Sequence, residues 1–196
     1  MRASSILLLA LCLLASCQPS KLDPQSYIAY VKNPVEGLVQ EREVDNFHFK
    51  IQYKPAEFIA LNELAGQLSD KEAFEKKISE LDGLDYFELS IRMKGGDFIK
   101  DLAQSKEDMS LRQYYFSYDF GKDILLQVMD KFQPCALYHF EKNYSVNGES
   151  RFLLAFEKSK QKADLVLTLK LDALGLENAE FIFKKRDIEK IPLLII

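Results

Sequence analysis

Cys135 and His139 are a pair of residues whose types and spacing point to nucleophilic chemistry. A cysteine becomes a nucleophile when an imidazole within about 3.5 Å takes its proton. On a helix, residues four apart would meet, whereas on a strand they share a face but lie about 13 Å apart. The surrounding sequence predicts a strand. We therefore expect Cys135 to act as a small buried hydrophobe, with His139 bonded to a neighbouring strand or at the surface.

The rest of the sequence offers little other catalytic chemistry. It contains two histidines and three cysteines, so a zinc site would have to recruit carboxylates, and we expect neither a metal nor a cofactor. His48 lies on the polar side of a predicted strand, where a solvated role is expected. Motifs for phosphate, calcium, zinc-protease and serine-hydrolase chemistry are missing from the sequence. A non-enzymatic protein is favoured. The alternative is an envelope hydrolase, or an enzyme that binds a lipid or small ligand through scattered carboxylates and tyrosines.

The first seventeen residues have the layout of an export signal. Arg2 supplies a positive charge, residues 6–14 are an apolar run, and Ala15 and Ser16 are small residues before Cys17. As a helix, the run would be about 14 Å long at ~1.5 Å per residue, roughly half of the ~30 Å hydrocarbon core of a bilayer. This length predicts the apolar part of a signal peptide and not a membrane span.

The string Leu14-Ala15-Ser16-Cys17 resembles the lipobox of bacterial lipoproteins. The resemblance implies that the Cys17 thiol is diacylated and that residues 1–16 are then cleaved off. Cys12 follows the bulky Leu11 and does not fit the pattern. Gln18 stands where such proteins carry their sorting residue, which implies the outer membrane. Because residues 18–21 lack an acidic cluster, we expect the periplasmic face.

Beyond the signal, the sequence predicts a short tether over residues 17–22 and a single domain over 23–196. The chain has 26 Lys+Arg and 30 Asp+Glu residues. This mild acidity argues against nucleic acid, and against anionic lipid headgroups, as the main partner. We expect contact with the membrane through the lipid anchor, and an envelope protein as partner. The oligomeric state stays open.

Helix signals cluster in the first 120 residues. Asp23-Pro24 predicts a helix start, and Pro55 predicts another helix through about residue 64. Ser69-Asp70-Lys71-Glu72 has the form of a capping box for a helix that ends before Gly83, and Gly95-Gly96-Asp97 predicts a turn and an N-cap. Ser110 is expected to cap a helix whose apolar positions are Leu111, Tyr114, Tyr115 and Tyr118.

Strand signals dominate the second half. Residues 46–53 and 87–93 alternate between apolar and polar side chains, and further strands are expected at 122–129, 134–144, 151–157, 164–172 and 179–186. Asn147-Gly148 is a hairpin-turn signal. We therefore predict an α+β fold: one antiparallel sheet of about six to seven strands with several helices on one face, the helices concentrated in the N-terminal half.

Two apolar segments are candidates for binding. Residues 114–118 could line a cleft or a partner groove, although packing of this helix on the sheet is the favoured interpretation. Residues 191–196 are expected to dock on the domain, with contact to another subunit as the alternative. The sequence as a whole resembles small envelope lipoproteins, and its favoured function is a non-enzymatic interaction or binding module at the membrane.

Overall fold

The computed structural model describes residues 20–64, 70–141 and 148–196. These ranges contain eleven strands and six α-helices. The strands are β1 (Lys21–Leu22), β2 (Val39–Val44), β3 (Phe47–Lys54), β4 (Leu84–Met93), β5 (Ile124–Val128), β6 (Lys131–Pro134), β7 (Leu137–Glu141), β8 (Glu149–Glu157), β9 (Leu165–Leu169), β10 (Ala179–Phe183) and β11 (Leu193–Leu194). The helices are α1 (Pro24–Lys32), α2 (Ala56–Glu63), α3 (Lys71–Leu81), α4 (Phe98–Asp101), α5 (Lys106–Tyr114) and α6 (Lys185–Ile188).

The strands form two antiparallel sheets and one small parallel pair. The larger sheet has the order β2-β3-β4-β8-β7, and the smaller has the order β10-β9-β5-β6. Strands β1 and β11 pair in parallel outside both sheets. The α+β class and the antiparallel sheets are confirmed. The prediction of one sheet with six to seven strands is wrong, because the strands divide five and four between two sheets.

The division occurs where a single strand was predicted over residues 134–144. Pro134 ends β6 in the smaller sheet, opposite Leu125, and Leu137 begins β7 in the larger sheet, opposite Ala155. Between them, Ala136 N donates to Ala155 O at 2.8 Å. Alternation in the sequence shows which side chains face a core, but both inner faces of a pair of packed sheets alternate in the same way.

The inner faces of the two sheets share one apolar core. Phe183 of β10 packs against Phe87 of β4, with ring centroids 5.2 Å apart, and against Tyr53 of β3 at 6.5 Å. The predicted apolar positions of β3 and β4 are all buried: Phe47, Phe49, Ile51, Tyr53, Phe87, Leu89, Ile91 and Met93.

Four of the six described helices, α1, α3, α4 and α5, begin after a side-chain cap, with two shifts from the prediction. Asp23 caps α1 as predicted, and its Oδ1 accepts from the backbone of Gln25 at 3.0 Å. Helix α3 is capped by Asp70, one residue after the predicted Ser69, which lies outside the described residues. Helix α5 is capped by Ser105, so Ser110 lies within the helix.

The strands of both sheets run between two ends of the domain, which we call the proximal end and the distal end. At the proximal end, β9 begins at Leu165 and β10 ends at Phe183, and α6 follows. There Lys185 N donates to Asp164 Oδ1 at 2.9 Å. At the distal end, β9 ends at Leu169, which pairs with Ile124 of β5.

Other elements can be assigned to these ends by their contacts. Phe98 of α4 packs on Phe47, the first residue of β3, at the distal end. Arg112 of α5 donates to Ala173 O beyond β9, at 3.2 Å. The chain enters at the proximal end, where Leu193 N donates to Ser20 O at 2.9 Å.

Candidate functional site

Cys17, the predicted lipid-attachment residue, lies outside the described residues, as do the predicted signal peptide 1–16 and Asn147 of the predicted hairpin turn. The domain begins closer to Cys17 than the predicted boundary at residue 23. Lys21 and Leu22 already form β1, in register with Leu193 and Leu194. Residues 18 and 19 are therefore all that separates Cys17, the proposed acylation site, from the hydrogen bond at Ser20.

Cys135 and His139 do not form a catalytic pair. The Cys135 thiol lies at the crossing between the sheets and donates to Leu137 O at 2.8 Å. Burial raises the pKa of this thiol, which disfavours the reactive thiolate. His139 lies in β7, on the outer face and opposite Leu153, and among the described residues it has no hydrogen bond to Cys135.

His48 lies on the outer face of the larger sheet, opposite Arg92 of β4. Its Nε2 is 3.5 Å from Glu41 Oε2, and Glu41 also pairs with Lys50 at 3.6 Å. The predicted position on the polar side of the strand is confirmed. Within the three described ranges, no group of three His, Cys, Asp or Glu residues is arranged to hold a metal ion.

An exposed apolar ridge lies at the distal end. It consists of Leu111, Tyr114 and Tyr118, whose exposed fractions lie between 59% and 69%. The rings of Tyr114 and Tyr118 contact each other, with centroids 5.2 Å apart. The prediction that residues 114–118 pack on the sheet is confirmed for Tyr115 and Phe116, which pack in or against the core, and wrong for Tyr114 and Tyr118. Aromatic residues occupy both sides of the segment, and the tyrosine hydroxyl favours the hydrated side.

The residues beneath this ridge form an aromatic base. A π-helical turn over Tyr115–Asp119 follows α5 and directs the fully buried Phe116 into the core. Phe116 contacts Phe98 at 5.0 Å and Phe120 at 5.2 Å. Tyr115 Oη donates to Asp123 Oδ2 at 2.6 Å. These contacts fix the segment that presents the ridge to solvent.

A buried polar cluster lies at the proximal end. Tyr53 Oη donates to Asp85 Oδ1 at 3.0 Å, and both residues are buried. Burial raises the pKa of Asp85, although the hydrogen bond from Tyr53 and the charge of Lys158 act in the opposite direction. Burial and the nearby Glu57 carboxylate also raise the pKa of Tyr27. Among the described residues, none accepts a well-aligned hydrogen bond from Tyr27 Oη.

Two cavities adjoin this cluster. One of about 530 Å³ lies between α3 and the segment that contains β11, and Tyr27, Tyr53 and Glu57 are among its lining residues. The other, of about 290 Å³, is lined by Tyr53, Asp85 and residues 158–163. Asp85 was missed at the sequence level. Its spacing of two from Phe87 places it on the buried face of β4 and could have identified it.

The sequence matches no protein-family model and no curated protein. Among solved structures, a DUF4426 family protein from Pseudomonas aeruginosa is similar, with 13% sequence identity and a TM-score of 0.35. The match covers 74% of this chain and 91% of that protein. In the part of the chain that the structure describes, no helix has the length and apolarity needed to cross a membrane.

Proposed function

We propose that the protein is a lipoprotein of the bacterial envelope that binds another envelope protein and has no enzymatic activity of its own. In this proposal Cys17 carries the lipid, Gln18 directs the chain to the outer membrane, and the domain lies at the periplasmic face. The observation that carries the proposal is the exposed ridge of Leu111, Tyr114 and Tyr118 at the distal end.

The ridge has the composition of a protein-binding surface. Tyrosine is enriched among the residues that dominate interface energies, because it buries a large area with few rotatable bonds. The buried Phe116 beneath the ridge contacts three other phenylalanine rings: Phe98, Phe120 and Phe152. A surface held in one conformation before binding loses less entropy when a partner docks.

The position of the ridge fits a membrane-tethered domain. Three Cα–Cα steps lead from Cys17 to Ser20 and reach about 10 Å when extended, so a lipid at Cys17 would hold the proximal end near the bilayer. Strand β4 has ten residues and spans about 33 Å at ~3.3 Å per residue. The ridge at the distal end would therefore be directed away from the lipid surface.

The anchor is tested by Cys17→Ala. We expect this variant to lose all incorporation of a radioactive fatty acid and to leave the membrane fraction as a folded exported protein. Ser20→Ala, a small substitution near the same site, serves as the control and should be acylated normally. Undiminished incorporation in Cys17→Ala would contradict the lipoprotein assignment.

The ridge is tested by Tyr114→Ser combined with Tyr118→Ser in the acylated chain. Cross-linking in the native envelope followed by purification should recover a specific partner with the parent chain, and several-fold less with the double variant. The matched control is Phe132→Ser on edge strand β6, whose side chain is 61% exposed. Full recovery with the double variant, or equal loss with the control, would contradict this role of the ridge.

The tether is tested by an insertion of about twenty Gly/Ser residues between Gln18 and Pro19. This site leaves the Ser20–Leu193 hydrogen bond and β1 intact. The insertion adds roughly 25 Å of mean end-to-end distance and lowers the effective concentration of the domain beside a membrane-embedded partner. We expect weaker recovery of the partner with normal acylation and abundance, whereas unchanged recovery would favour a freely diffusing ligand.

The enzyme alternative rests on a different observation, the buried Asp85–Tyr53 pair beside two cavities. A carboxyl group with a raised pKa next to a cavity is a feature of many acid–base sites. Under this alternative, Asp85→Asn would abolish function in the cell at normal protein abundance. Under our proposal the variant stays functional, and the ridge variant loses function instead.

A further inference from the structure

A basic surface lies at the proximal end, although the chain as a whole has a negative net charge. We define this basic surface as Lys21 together with segments 158–164 and 184–190. The two segments contain seven basic and three acidic residues, whereas the whole chain has a formal net charge of −4 at pH 7. The overall charge therefore does not exclude a local attraction for anions.

The acidic residues of this surface already pair with its own basic residues, and two of these ion pairs join its two segments. Asp164 pairs with Lys184 at 3.0 Å, and Glu189 pairs with Lys162 at 3.6 Å. Asp187 pairs with Arg186 at 3.3 Å. Within this basic surface, all of whose residues the structure describes, three exposed lysines have no carboxylate within 4.0 Å: Lys21, Lys160 and Lys190. These three cations are free to bind a negative partner.

Exposed aliphatic side chains lie beside one of these lysines, Lys21, whose register partner in the β1–β11 pair is Leu193. Leu193, Ile195 and Ile196 have exposed fractions between 45% and 51%. Leu193 N donates to Ser20 O, and Ile195 N donates to Leu22 O, both at 2.9 Å. Backbone hydrogen bonds thus hold this apolar segment beside the chain that leads back toward Cys17.

We propose that the basic surface and the exposed side chains of Leu193, Ile195 and Ile196 form a docking surface for a bilayer of anionic phospholipids. Lysine ammonium groups attract the headgroup phosphates, and aliphatic side chains enter the interface between headgroups and acyl chains. This orientation rests on the proposed function, because a lipid on Cys17 would bring this end to the bilayer. The binding of this surface to anionic phospholipid can be measured in a chain that carries no lipid on Cys17, so it is tested independently of the anchor.

The test is co-sedimentation of the unacylated full chain, Cys17→Ala, with phosphatidylglycerol vesicles and with phosphatidylcholine vesicles. We expect binding to phosphatidylglycerol at low salt, much weaker binding to phosphatidylcholine, and release as salt shortens the range of the attraction. Lys160→Gln with Lys190→Gln should weaken binding by about fivefold for each lysine, the equivalent of ~1 kcal/mol. Ile195→Ser should weaken it further.

The control removes the same number of charges at the distal end. Lys94→Gln with Lys106→Gln changes two exposed lysines that follow β4 and begin α5, and it should leave vesicle binding unchanged. The proposal would be overturned if the two double variants bound phosphatidylglycerol vesicles with equal affinity. It would also be overturned if the chain showed no preference for phosphatidylglycerol over phosphatidylcholine. Fatty-acid labelling of the native chain reports separately on Cys17, so failure of the anchor and failure of this surface are distinguishable.

Discussion

The proximal and distal ends of the domain are built from different interactions. At the proximal end, buried and exposed polar groups join separate segments, through Tyr53–Asp85, Lys184–Asp164 and the β1–β11 pair. At the distal end, separate segments are joined by phenylalanine rings that pack edge-on. The comparison indicates that a basic end suits a charged bilayer, whereas a rigid aromatic base suits a surface that must hold its shape for a protein partner.

The largest expected difference in the free energy of unfolding is between substitutions of two nearby residues at the distal end, Phe116 and Tyr118. Phe116→Ala removes a fully buried ring and should cost about 3–5 kcal/mol of the free energy of unfolding. Tyr118→Ala changes an exposed side chain and should stay within about 0.5 kcal/mol. Urea denaturation measures both. Equal costs would show that the ridge is part of the core and not a free surface.

At the proximal end, the comparison is between two buried tyrosine hydroxyls. Tyr53→Phe leaves the buried Asp85 carboxyl without its donor and should cost about 1–3 kcal/mol. Tyr27→Phe removes a hydroxyl with no well-aligned acceptor among the described residues, so it should be nearly neutral or stabilising. A large loss in Tyr27→Phe would instead indicate that Tyr27 Oη makes a bond that matters for folding.

The smallest expected effect is a change in the pH dependence of stability. Burial raises the pKa of Asp85 in the folded chain, so above its ordinary value the folded state holds a proton that the unfolded state has lost. The stability that this group contributes is present at low pH and falls as the pH rises through the raised pKa. Relative to Asp85→Asn, the native chain should therefore lose stability as the pH rises from the ordinary pKa of an aspartate toward the raised pKa of Asp85.

Urea titrations of both proteins at several pH values measure this slope. A stability difference that rises with pH would mean that the hydrogen bond from Tyr53 and the charge of Lys158 outweigh burial. In that case Asp85 would be an ordinary ionised carboxylate of the proximal end, and the enzyme alternative would lose its main observation.

Much of the local structure could be predicted from the sequence because it depends on neighbouring residues. The alternation in β3 and β4, and the Asp23 cap of α1, were predicted and confirmed. The division into two sheets was not, because it depends on which strands pair across long stretches of chain. The exposed side of residues 111–118 was also mispredicted, because periodicity alone does not decide which of two aromatic sides is buried.

The candidate surfaces were only partly predictable for the same reason. The Tyr114–Tyr118 segment was singled out from its composition, but its exposure follows from the π-helical turn that directs Phe116 inward. The basic surface combines Lys21 with residues 158–164 and 184–190, and net charge conceals such a cluster. Only the fold brings these segments together, through contacts such as Lys185 N to Asp164.

The orientation of the domain on a bilayer tests the central claim most directly. An environment-sensitive fluorophore is attached to Ile196→Cys or to Tyr118→Cys, each in an acylated chain that also carries Cys135→Ala. The chains are placed in phosphatidylglycerol vesicles whose acyl chains carry bromine as a quencher. We predict quenching and a blue shift at residue 196, and the emission of a water-exposed probe at residue 118. Quenching at residue 118, or at neither position, would contradict the account.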